Sequence, residues 1–135
     1  MKIVVDANVA IAVLDPCHRF HRSAVRRCLA ADDVAILNLT RAEALIHPSR
    51  SGKLVEADAA LGRLGFRTVP LADDVADCAR ELRADYGDRS FPLVDAVVVA
   101  FGVVNSVPVV TCDQKWPEIG EVAVELLTGE LLTAE

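Results

Sequence analysis

Four acidic residues, Asp6, Glu43, Asp95 and Asp113, stand at places in the chain where oxygen chemistry is built. Asp6 closes the apolar run Met1-Lys-Ile-Val-Val, and Asp113 follows Val107-Pro-Val-Val-Thr-Cys112. Glu43 lies early in a helical pattern, and Asp95 precedes a long uncharged stretch. Acids at the carboxyl ends of neighbouring parallel strands converge on one crevice. Converging carboxylates repel one another, so such a group calls for a hard divalent cation, Mg²⁺ or Mn²⁺ rather than zinc. Asn8 and Thr111 are short polar neighbours suited to orienting a carboxylate or a water beside it. One or two such ions activate a water and offset developing negative charge, so no Ser, His or Cys nucleophile is required.

Each acid also has an ordinary explanation. Asp6 suits an N-cap for a helix beginning near Asn8. Thr40 and Glu43 form the T-x-x-E capping-box pattern. Asp95 complements a helix dipole, and Asp113 suits a turn. The set is harder to dismiss, because Asp6 and Asp95 interrupt apolar surroundings where an unpaired charge is costly.

The elements that must position these acids alternate in type. Strands are expected at Lys2–Val5, Val34–Leu37, Arg67–Val69, Pro108–Thr111 and Val122–Leu126. Helical patterns fall at Val9–Leu14, Arg19–Ala30, Arg41–Pro48, Val55–Leu64, Ala72–Asp85 and Leu93–Val104. That alternation implies an α/β fold, with a parallel sheet flanked by helices on both faces. The 135 residues suit one domain, 1–135. Hydrophobic content is 53% and aromatic content only 4%, so aliphatic side chains must fill the core. Thr128–Glu135 reads as a frayed end.

Composition bounds the partners. The net charge of −6 and pI of about 5.0 argue against non-specific nucleic-acid binding. A nucleic-acid enzyme is still admitted if basic groups are local. The densest run is Arg19, Arg22, Arg26 and Arg27, with the first three at helical spacings of three and four. It is a candidate phosphate track, although a solvated face is the commoner use of such a run. Arg41 suits either RNA or an internal ion pair, and His47, four residues beyond Glu43, is a weaker candidate for the cleft. Cys17, Cys28, Cys78 and Cys112 form no C-x-x-C pair and read as small core residues of a reducing cytosol. Asn105, Ser106 and Pro108 interrupt the uncharged stretch Ala96–Cys112, so a buried helix followed by a strand is expected, not a membrane span. The N-terminus has no signal-peptide pattern.

At its acidic positions the chain resembles the PIN-domain family, in particular VapC-type toxin ribonucleases. The matching segments are Val4-Val-Asp-Ala-Asn8, Leu39-Thr-Arg-Ala-Glu-Ala-Leu45, Leu93-Val-Asp-Ala-Val-Val-Val-Ala100 and Val110-Thr-Cys-Asp113. Any one is weak; their order along most of the chain is fairly specific. The resemblance implies a five-stranded parallel sheet, a homodimer, a cognate antitoxin, and Asp6, Glu43, Asp95 and Asp113 as a catalytic, metal-binding quartet supported by Asn8 and Thr111. Trp116 stands where the family often has Phe, and Ala7 lacks a hydroxyl often found beside the first Asp. The expected activity is Mg²⁺-dependent RNA hydrolysis in the cytoplasm. Two alternatives remain at this point. A receiver-type phospho-acceptor also has an acidic Mg²⁺ pocket, but expects paired acids after the first strand, where Asp6 stands alone. An idle PIN-like binding module needs no intact quartet.

Overall fold

The structure, a computed structural model, describes residues 1–87 and 90–129. Its elements run β1 (Lys2–Val5), α1 (Ala7–Leu14), α2 (His21–Ala30), β2 (Asp33–Leu37), α3 (Asn38–Ala44), α4 (Ile46–Arg50), α5 (Leu54–Arg63), β3 (Phe66–Val69), α6 (Asp73–Tyr86), α7 (Leu93–Asn105), β4 (Val109–Thr111) and β5 (Val124–Leu126). The five strands form one sheet in the order β3-β2-β1-β4-β5, with every neighbouring pair parallel. The chain steps from β1 outward through β2 to β3, then crosses back to lay β4 on the other side of β1. The β1/β4 boundary is therefore the switch point where such sheets open a crevice.

Alternation along the strands divides the core in two. Ile3 and Val5 face α1, α2 and α5, together with Val34, Ile36 and Val110. Val4, Ala35, Leu37 and Val109 face α6 and α7. Both faces of the sheet are thus covered, as its aliphatic strands require. Helix α7 is the most deeply set, with Ala96 to Ala100 all buried. No helix among the described residues is long and apolar enough to cross a membrane.

Several boundaries differ from the sequence expectation. The helical pattern at Arg41–Pro48 divides into α3 and α4, and α3 starts at Asn38. Thr40 is therefore inside the helix and makes no cap; its hydroxyl is buried without a hydrogen-bond partner. Helix α2 starts at His21, because Asp15 closes α1 with a turn whose oxygens take the N–H groups of Cys17 and His18. Arg19 thus precedes the helix and lies against the Phe20 ring at 5.0 Å; only Arg22 and Arg26 share a helical side. Strand β5 begins at Val124, two residues late, since Val122 packs against the α7 side of the core before the chain enters the sheet. Cys28 is buried as expected, whereas Cys17 is exposed in the turn after α1. Residues 130–135, most of the expected frayed tail, lie outside the described residues.

Gly102 shows how closely α7 approaches β4. A Cβ there would sit 2.6 Å from Val109 Cγ2 and 2.7 Å from the Val107 carbonyl oxygen. The carbonyl belongs to the backbone and has little room to yield. Gly102→Ala should therefore destabilise the fold by about 1–3 kcal/mol despite alanine's better helix propensity. Urea denaturation of the variant checks this; unchanged stability would mean that α7 stands off the sheet.

Candidate active site

Asp6 is fixed by its place in the chain. Strand β1 delivers it to the switch point, where it becomes the N-cap of α1 and accepts the Ala7 N–H through Oδ1 at 2.8 Å. Its other oxygen accepts the Thr111 hydroxyl at 3.0 Å. Thr111 is fully buried at the end of β4 and is the hub of a small network. Its Oγ1 also accepts the Asp113 N–H at 3.0 Å and the Asn8 side-chain amide at 3.3 Å. Asn8 Oδ1 in turn accepts the Cys112 N–H at 3.1 Å. Two short polar residues thus lock the end of β1 to the end of β4 and set Asp6 beside Asp113.

The other acids come from the helices around this point. Asp95 is in the first turn of α7, with Pro92 at the N-cap, where the helix dipole favours a negative charge. Its Oδ2 accepts the Trp116 indole N–H at 3.1 Å. Glu43 is exposed in the last turn of α3, and with no capping box formed its side chain is not committed to the helix start.

Electrostatics couples Asp6 to Asp95 and Glu43, and Asp95 to Asp113 and Glu43. Burial, then the charge of Asp95, pushes the Asp6 carboxyl up to about 7; Glu43 adds to the rise, and the Ala7 and Thr111 hydrogen bonds oppose it. Asp95 is also raised, mainly by burial and further by Asp113 and Glu43, against the Trp116 hydrogen bond. Of the pair, Asp6 is the more buried. None of the four acids is in an ion pair among the described residues.

This donor set fits a hard cation. It is all oxygen, and it is under a repulsion that positive charge relieves. Among the described residues no three His, Cys, Asp or Glu side chains converge tightly enough to ligate one ion directly.

The basic residues divide differently. Arg27 Nε pairs with Glu125 Oε2 at 2.7 Å, and its Nη2 reaches Met1 Sδ, beside the end of β1 opposite Asp6. Arg41 pairs with Asp58. Arg22 and Arg26 are exposed on α2. His47 shares with Glu43 an apolar groove of about 690 Å³ between α1, α4 and α5, walled by Ile11, Leu14, Ile46 and Ala57. The surroundings of two residues are not legible in the sequence. Trp116 binds Asp95, a contact signalled only by the need of a half-buried indole N–H for an acceptor. Thr40, one turn before Glu43, keeps a buried unpartnered hydroxyl, for which the sequence carries no signal.

Comparison with known proteins agrees with this architecture. The PIN-domain family model matches residues 3–122. A toxin–antitoxin complex from Klebsiella pneumoniae contains a chain that superposes with a TM-score of 0.74 at 21% identity, covering 90% of this chain and 95% of that one. VapBC2 from Rickettsia felis, bound to a DNA fragment from its promoter, gives 0.74 at 14% identity, covering 95% and 100%. VapC20 from Mycobacterium tuberculosis, a toxin that cleaves the sarcin-ricin loop, gives 0.66 at 20% identity, covering 87% and 98%. No curated protein matches the chain in sequence. The family model spans nearly the whole described fold, from β1 to the approach to β5, and the chain belongs to the PIN-domain family.

Proposed function

We propose that residues 1–135 act as one PIN domain, a Mg²⁺-dependent endoribonuclease that is the toxin of a toxin–antitoxin pair. The observation that carries this reading is Asp6, buried at the β1/β4 switch point with its carboxyl raised to about 7 by burial and by Asp95. A structural N-cap has no need of neighbouring acids; a cation site does. Asp6, Glu43, Asp95 and Asp113 would hold the ion, with Asn8 and Thr111 setting the orientation. When bound, Mg²⁺ supplies a Lewis acid and lowers the pKa of a water. The chain's own part is to hold four carboxylates in place and to present them at a crevice open to RNA. The superposed chains include a sarcin-ricin-loop-cleaving toxin, which supports RNA as the substrate class.

Arg19, Arg22, Arg26 and Arg27 are the candidate phosphate contacts, and Arg27 also pairs with Glu125. The antitoxin's seat is the apolar groove between α1, α4 and α5, because it opens beside Glu43 and suits an apolar helix bearing a cation toward the acids. Leu39, Leu93 and Val94, exposed on the adjoining helices α3 and α7, offer apolar surface to a second copy in a homodimer. Free cysteines suit the reducing cytoplasm.

Incubating the antitoxin-free chain with structured RNA tests the reading. Discrete cleavage with Mg²⁺ and none in EDTA is expected; intact RNA under both conditions would remove the ribonuclease assignment.

A further inference from the structure

Trp116 is the chain's single tryptophan and stands three residues beyond Asp113 in the loop after β4. Its ring meets Phe91 edge-on, with centroids 5.7 Å apart and planes at 71°. Phe91 is fully buried and immediately precedes Pro92, the N-cap of α7. The indole therefore bridges the loop that carries Asp113 and the helix start that carries Asp95. Its N–H, a donor with no acceptor capacity, points at Asp95 Oδ2 from 3.1 Å. A phenyl ring at this position would keep the packing on Phe91 and lose the donor.

We infer that Trp116 is a positioning residue for Asp95, its indole N–H fixing one carboxylate oxygen and so the orientation in which the group meets a divalent cation. The inference rests on the metal-dependent reading above. A carboxylate in the first turn of a helix otherwise rotates freely about its terminal torsion, and its orientation enters directly into ion affinity. Hydrogen bonds to an ionised acceptor are among the stronger ones, and partners that orient metal-binding groups typically change affinity 10–100-fold when removed. The same bond ties the chain's one indole N–H resonance to the state of Asp95.

Trp116→Phe isolates the N–H. Mg²⁺ affinity is measured by calorimetry on the full chain, and the parent's indole N–H resonance is followed by NMR during the same titration. Trp116→Phe should raise the Kd for Mg²⁺ about tenfold, and RNA cleavage should recover as Mg²⁺ is increased, which a general loss of structure would not allow. The parent's indole resonance should move with the midpoint of Mg²⁺ binding, and in the metal-free protein it should be displaced by Asp95→Asn. That second readout stands even if Trp116→Phe folds poorly. A parental Kd in a folded Trp116→Phe, or an indole resonance indifferent to both Mg²⁺ and Asp95→Asn, overturns the inference while leaving the nuclease reading intact. A parent chain that cleaves no RNA and binds no Mg²⁺ overturns both.

Discussion

Asp95→Asn should lower RNA cleavage at least about a thousandfold, equivalent to several kcal/mol of transition-state stabilisation, and should leave the fold standing. The substitution is nearly isosteric, and the asparagine carbonyl can still accept the Trp116 indole N–H now taken by Oδ2. What disappears is one negative charge beside Glu43 and Asp113. Its loss also relieves Asp6, whose carboxyl is held up in part by Asp95. The metal-free variant should therefore melt no lower than the parent, even after losing a favourable charge at the start of α7. Asp6→Asn is a less clean probe. Asp6 accepts one hydrogen bond on each oxygen, from Ala7 and Thr111, and an amide can accept only one of them in place. Cleavage by Asp95→Asn within tenfold of the parent, measured at equal Mg²⁺, would mean that Asp95 is only a dipole partner for α7.

The second large effect is a pH dependence of stability that reverses the common pattern for carboxylates. Asp6 titrates near 7 in the folded protein, against an ordinary value of 3.8. Below about 4 the group is protonated in both states, and its full contribution to stability is present. Between about 4 and 7 the unfolded chain releases the proton first, so the native state binds more protons and stability falls as pH rises. Above 7 the contribution is lost. A displacement of this size corresponds to roughly 4 kcal/mol across that window. Asp95 is shifted in the same direction and adds to the fall. In EDTA, the chain should therefore lose stability from pH 4 to pH 8, and the slope should flatten in Asp95→Asn. Mg²⁺ at pH 8 should restore stability by mass action, about 2.7 kcal/mol at a hundred times its Kd. Denaturant titrations across pH, with and without Mg²⁺, give all three comparisons. A parent and Asp95→Asn with equal slopes would contradict the clustering of the acids.

Much of this was legible in the residues themselves. The strands carry their signal in short aliphatic runs, so four of the five were placed within one residue. The places of Asp6 and Asp113 followed, because a charge that ends an apolar run emerges at the carboxyl end of its strand. The rest depends on distances along the chain that local pattern does not encode. Thr40 and Glu43 have the spacing of a capping box, yet the helix starts at Asn38, three residues before the expected Arg41, and carries Thr40 into the interior. Arg27 shares a sequence run with Arg22 and Arg26, yet its partner Glu125 is 98 residues away on the last strand. Nothing beside Trp116 in the sequence marks its acceptor, and only the folded chain brings its N–H to an acid 21 residues earlier.

A Mn²⁺ titration read in parallel by metal binding and by RNA cleavage on the EDTA-stripped chain bears most directly on the carboxylate cluster as an ion-dependent nuclease centre. Cleavage should be absent before metal is added and should rise in step with occupancy. Asp95→Asn should bind weakly and stay inactive at concentrations that saturate the parent. Full cleavage by the stripped parent, or cleavage that ignores occupancy, would contradict the assignment of Asp6, Glu43, Asp95 and Asp113 to the reaction.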